Sequence, residues 1–198
     1  MKTERLQRTL HPSLRGDEAT DHSAERLGSW FPEALGTLRI AFGLTFLWAF
    51  FDKLLALGFQ TGYAQDGTLD RFGSAAWING GSPTEGFLKF AADGPFKSFY
   101  NNIGGTPIVD WLFMLSLLGI GIALTFGIAM RVFGTIAAIL YVGMWSVVLP
   151  PENHPFLDVH ILGALSMIVL VLGNAGHTWG LGRSWASNSV VEANPILR

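Results

Sequence analysis

Cysteine is absent from the 198 residues. That excludes disulfides, thiolate nucleophiles, Cys-ligated zinc, iron–sulfur clusters and c-type haem. Charge is scarce too. Asp, Glu, Lys and Arg make up 14% of the chain, against about a quarter in soluble domains. The net charge of −2 is too small to mark a nucleic-acid binder. No run of alternating apolar and polar residues marks a strand. No glycine fingerprint for a flavin or nicotinamide follows one, and the "GLG" at 180–182 reads as a break after a helix. No Ser-His-Asp order stands out.

What is present is apolar. Hydrophobic residues make up 49% of the chain, and the mean hydropathy is +0.37. A membrane helix needs about 20 mostly apolar residues. Four runs meet that length, at about 35–57, 107–127, 132–150 and 157–175. None carries a polar stripe of helical period, as a soluble bundle would require. The first run follows 34 polar residues and is too long for a signal sequence, so it reads as an anchor helix.

These runs predict an all-α integral membrane protein with a four-helix up-down bundle. The expected parts are a polar tail (1–34), a membrane domain (35–176) and a closing tail (177–198). Within the membrane domain, residues 58–106 form a long loop. Its segment 84–105 spaces Phe87, Phe90, Phe96, Phe99 and Tyr100 three to four apart, which predicts short helical pieces broken at Gly94-Pro95. Lys and Arg set the orientation. Eight lie in the two tails and the 128–131 turn, and three (Arg71, Lys89, Lys97) lie in the long loop. Both termini are therefore expected in the cytoplasm, with the long loop and the 150–157 turn outside the cell membrane. Short turns make neighbouring spans antiparallel. Recurrent small residues (Gly36, Gly43, Gly119, Gly121, Gly134, Ala138, Gly163, Ala164) allow close helix contacts in lipid.

With that topology, the ionisable groups fall at one level. Asp52 and Lys53 end the first span, Asp110 begins the second, and Asp158 and His160 begin the fourth, with His154 just beyond. A charge inside the membrane costs about 2.5–3.5 kcal/mol on insertion scales, so such groups tend to face inward and pair. Lys53 with Asp110 or Asp158 is the expected kind of pair. Asp158 and His160, two apart, diverge if both are helical, and Pro155 is placed at the helix start. Asp110 and Asp158 also suit plain capping of N-terminal turns. His160, further in, is not accounted for by capping. Trp30, Trp77 and Trp179 read as interfacial anchors. Trp48, Trp111 and Trp145 fit either that belt or the walls of a pocket for a flat ring. Arg39, near the cytoplasmic end of the first span, reads as snorkelling to headgroups.

Several stretches resemble the DoxX/DoxD membrane family: "RIAFGLTFLWAFFDKL" (39–54), "AWINGGSPTEGFL" (76–88), "DWLFMLSLLGIGIALTFGIAMRVFG" (110–134), "NHPFLDVHILGAL" (153–165) and "GHTWGLGRSW" (176–185). The resemblance implies four membrane helices. It also implies a possible role like the large subunit of thiosulfate:quinone oxidoreductase, which works with a second, smaller subunit and has quinone as a substrate. On that expectation Asp52, Asp110, Asp158 and His160 handle protons. Lys53 holds the anion, with His154 beside it, and Trp111 and Trp145 wall the ring. No bound metal or haem is expected, since only His160 among the histidines lies in a span. The alternative is a non-catalytic anchor or accessory subunit of a respiratory or redox-stress complex. A small-solute transporter ranks third, because no broken midplane helix is evident.

Overall fold

A computed structural model describes residues 12–64, 66–152 and 154–198. The described chain is helical, with no strand; Tyr63 and Leu69 form a single isolated bridge. Seven α-helices follow in order: α1 (Pro12–Leu55), α2 (Lys97–Ile103), α3 (Pro107–Phe126), α4 (Met130–Val147), α5 (Val159–Leu172), α6 (Gly182–Ala186) and α7 (Ser189–Ala193). Three helical segments are long and apolar enough to cross a membrane: Gly28–Leu55 within α1, then α3 and α4.

Two boundaries differ from the sequence expectation. α1 does not start at residue 35; it runs back through Pro32 to Pro12. A proline inside a helix removes one backbone hydrogen bond, and here the helix continues past it. α5 is shorter than the apolar run 157–175, with 14 residues, or about 21 Å of rise. Asp158 holds extended backbone angles at its start. Asn174, with φ of 49°, turns the chain after its end.

α1 packs along α3, and α4 packs along α5. Small residues sit at both contacts. A Cβ on Gly43 would lie 2.5 Å from the Thr125 backbone nitrogen, and one on Gly163 would lie 2.8 Å from the Tyr141 ring. Neither position has room for a side chain, so these glycines set the helix spacing. The core between the helices holds Phe46, Met114, Ile120, Leu124, Met167 and Leu170. The other faces of α3, α4 and α5 expose large apolar side chains, including Leu112, Leu115, Ile139, Leu162 and Leu172. That pattern suits a hydrocarbon solvent.

The long connection between α1 and α3 contains short helical pieces. A π-helical turn covers Gly86–Ala91, a 3-10 turn covers Gly94–Phe96, and α2 follows. Leu88 and Ala92 of this segment pack against Val147 at the end of α4. The segment therefore folds back over the ends of the long helices.

At the opposite end lies Arg39, which does not reach out to headgroups. It is completely buried. Its Nε donates to Ala175 O at 3.0 Å. One terminal nitrogen donates to Leu124 O and to Thr125 O. The other donates to Thr178 O and Trp179 O, each at 3.1 Å. A guanidinium has five N–H donors, and five carbonyls meet them. Leu124 and Thr125 lie in the last turn of α3, whose carbonyls have no partner within the helix. Arg39 thus caps α3 and ties it to the chain that follows α5.

Candidate functional site

A cavity of about 1250 Å³ lies between the α1–α3 connection and the long helices. Lys53 reaches it from the last turn of α1, and His160 from the first turn of α5. α3 contributes Leu112, Phe113 and Ser116, while α4 contributes Ile139, Gly143 and Met144. The connection supplies the remaining walls, among them Thr84, Phe87 and Tyr100.

His160 is set by its neighbour Asp158. Asp158 is the residue before α5, with φ −144° and ψ −174°. Its Oδ1 accepts from the backbone N–H groups of His160 and Ile161, at 3.0 and 3.1 Å. Its Oδ2 lies 2.5 Å from His160 Nδ1. The two side chains therefore meet, against the expectation that they diverge. The divergence argument holds for two helical residues, and Asp158 is extended. A carboxylate only accepts, so Nδ1 carries the proton, and Nε2 is the nitrogen left for a ligand. Pro155 does not start the helix; it lies in the bend before it.

Lys53 does not pair with Asp110 or Asp158. Its ammonium has no hydrogen-bond or ion-pair partner among the described residues. Asp158 is engaged by His160, and Asp110 and Asp52 by the connection. Asp52, 1% exposed, accepts from the backbone N–H groups of Phe59, Gln60 and Thr61 at 2.9–3.1 Å. Asp110 accepts from the Ser82 hydroxyl at 2.8 Å and the Thr84 hydroxyl at 2.5 Å. Gln60, Thr61, Ser82 and Thr84 line the cavity. Asp52 and Asp110 thus hold two of its walls in place from behind. Such contacts give both carboxylates a positioning role.

The aromatic residues sort differently from the expectation. Trp111 is 57% exposed and packs edge-on against Trp77, with ring centres 4.7 Å apart. Trp77 is therefore a packing partner and more than an interfacial anchor. Trp145 donates from Nε1 to Phe156 O at 2.8 Å, which ties the end of α4 to the turn before α5. Neither Trp111 nor Trp145 lines the cavity; Phe87, Phe113 and Tyr100 do. The Tyr100 hydroxyl is hydrogen-bonded to Ser146. Trp48 packs on Phe59 at 4.8 Å. His154 is exposed, and its Nδ1 accepts from the N–H groups of Phe156 and Leu157. It shapes the turn and does not reach the cavity.

Thr84, Ser82 and Gly143 carry no site signal of their own in the sequence, and Tyr100 stands out there only by its helical spacing. The run "GGSPTEG" (80–86) held the available signal, since two small hydroxyl residues flank a proline there. Nothing in the sequence linked that run to Asp110, 26 residues on from Thr84.

No family model, curated protein or solved structure matches this chain.

Proposed function

We propose that this chain is a DoxX-like subunit of the cell membrane that passes electrons from a sulfur compound such as thiosulfate to a membrane quinone. In this reading the apolar helices form a four-span up-down bundle. The fourth span is completed by the non-helical residues flanking α5, and both termini are cytoplasmic. The observation that carries the reading is the pair of groups meeting in one cavity. One is the Lys53 ammonium, with no hydrogen bond or ion pair among the described residues; the other is a carboxylate-backed imidazole on His160.

Quinone reduction needs both. Two thiosulfate ions lose one electron each and join through a new S–S bond as tetrathionate. The quinone takes the two electrons and two protons and leaves as quinol. Lys53 faces the negative charge that develops on a quinone oxygen or is carried by the donor. His160 passes the two protons one after the other from Nε2, taking each in turn from water, and Asp158 steadies the imidazolium on its other side. Phe87, Phe113 and Tyr100 provide flat apolar walls for the ring.

Thiosulfate-dependent quinone reduction by the detergent-purified protein, alone and with co-purifying proteins, tests the reading. Turnover that disappears in His160→Ala, with the variant still folded, supports it; unchanged turnover removes His160 from the mechanism. The second reading, a non-catalytic anchor or accessory subunit, is favoured by a different feature. A groove of about 430 Å³ between α4 and α5 is lined by Gly134, Ala138, Ala164 and Ile168 and suits a partner helix. A stoichiometric partner retained without turnover would favour it.

A further inference from the structure

The cavity is much longer than a ring requires. On α3 its lining residues are Val109, Leu112, Phe113 and Ser116, a stripe at steps of three and four. On α4 they are Ile139, Leu140, Gly143, Met144 and Val147, again at steps of one helix face. The eight residue steps from Ile139 to Val147 correspond to about 12 Å of helix. The cavity therefore continues as a groove between α3 and α4, down to mid-helix. Its walls there are apolar apart from Ser116, whose hydroxyl is already bonded to Leu112 O. The ammonium of Lys53 and the Nε2 of His160 sit at the other end.

The groove also opens sideways. Leu112 is 62% exposed and Ile139 66% exposed, yet both line it. Phe90, 84% exposed, lies at the rim formed by the connection. A mouth framed by exposed Leu112 and Ile139 on apolar helices, with Phe90 of the connection at its rim, suits a hydrocarbon solvent.

We propose that the cavity takes a single-chain amphiphile directly from the membrane through the gap between α3 and α4. Its hydrocarbon chain lies along the groove, and its hydrogen-bond-accepting head lies at Lys53 and His160. The inference rests on the reading of this cavity as a ligand site and adds the form and route of the ligand. Charge complementarity sets the head: the Lys53 ammonium, which only donates, selects an anionic or carbonyl oxygen. Two sources share that chemistry, a quinone with an isoprenoid tail and a free fatty acid.

Gly143 supplies the test. It lines the groove, and a Cβ added there would meet no atom within 4 Å. Gly143→Leu therefore starts its side chain in open space at the groove, and the exchange favours the helix. Binding is followed by quenching of tryptophan fluorescence, with decylubiquinone and with the same quinone head carrying no chain. Palmitate serves as a competitor. Each affinity is compared between the unaltered protein and the variant in the same detergent, which cancels partition into micelles.

The expected result is a tenfold or greater loss for decylubiquinone in Gly143→Leu, with the chainless head changed by less than threefold. Lys53→Met weakens both. If palmitate displaces decylubiquinone, loses affinity alike in Gly143→Leu, and quinone is never reduced, the ligand's form stands and the electron-transfer reading falls. Equal binding of the decyl and chainless quinones, or full decylubiquinone affinity in Gly143→Leu, overturns the inference. Ser116→Leu, which fills the groove from the facing helix, must give the same loss and serves should the first variant fail to fold.

Discussion

His160 Nδ1 and Asp158 Oδ2 lie 2.5 Å apart, although only one residue separates them in the chain. The contact exists because Asp158 caps α5 from an extended conformation while His160 is already helical. One carboxylate thus performs two tasks. Oδ1 serves the free N–H groups of the first turn, and Oδ2 fixes the ring.

The two tasks separate by substitution. Asn is as good a cap as Asp, so Asp158→Asn should keep the thermal stability within about 1 kcal/mol of the unaltered protein. It removes the anion behind the imidazole. Under the proposed function, quinone reduction should then fall by about 10²-fold or more, as in His160→Ala. Asp158→Ala should lose the activity and also about 1 kcal/mol of stability. Activity in Asp158→Asn at the unaltered level would show that the carboxylate acts only as a cap.

Arg39 offers a stability test free of any assumption about function. Lys has three donors where Arg has five, so Arg39→Lys leaves at least two buried carbonyls without a partner. At about 1–3 kcal/mol for each unmade bond, the loss should be about 2–6 kcal/mol, read as a lower melting temperature in detergent. Gly180→Ala should act on the same junction, since the added Cβ would lie 2.5 Å from Gly176 O and 3.1 Å from an Arg39 nitrogen. A melting temperature unchanged in both variants would mean that the junction does not limit stability.

The helices were legible in the sequence because a membrane-length apolar run needs no partner to declare itself. The 35–57, 107–127 and 132–150 runs each lie on a long apolar helix. Gly43 and Gly163 were legible as contact residues for a similar reason, since a missing side chain in an apolar helix signals close approach. The polar contacts were not legible. Asp158 and His160 read as divergent because helical geometry was assumed one residue too early. Arg39 read as snorkelling because its five acceptors are backbone carbonyls, which carry no residue signature. Asp52 and Asp110 bind loop N–H groups and hydroxyls chosen by the chain's return path, which residue type alone does not specify.

Asp52 should therefore report on loop order. Replacing it with Ala removes the acceptors of three N–H groups, at Phe59, Gln60 and Thr61. The expected loss is about 2 kcal/mol, with faster amide exchange confined to the chain around 57–72, where Phe72 N–H also bonds back to Leu55 O. Thr84→Val should do the same to the second wall. It removes the hydroxyl that donates to Asp110 and accepts from the Gly105 N–H. Exchange rates unchanged in both variants would show that the walls are held by packing alone.

The proposed orientation rests on charge and can be measured directly, because the chain has no cysteine to interfere. Ser98, in α2, and Ser187, just after α6, are both exposed. On the proposed topology they lie on opposite sides of the membrane. In intact cells a membrane-impermeant maleimide should label Ser98→Cys and leave Ser187→Cys unlabelled until the membrane is opened. The eight cationic residues of the tails and the 128–131 turn, against three in the long connection, set that direction. The reverse labelling would put Lys53 and His160 on the cytoplasmic side. The electron donor would then have to be a cytoplasmic compound, so this one experiment also selects which sulfur compounds are worth assaying.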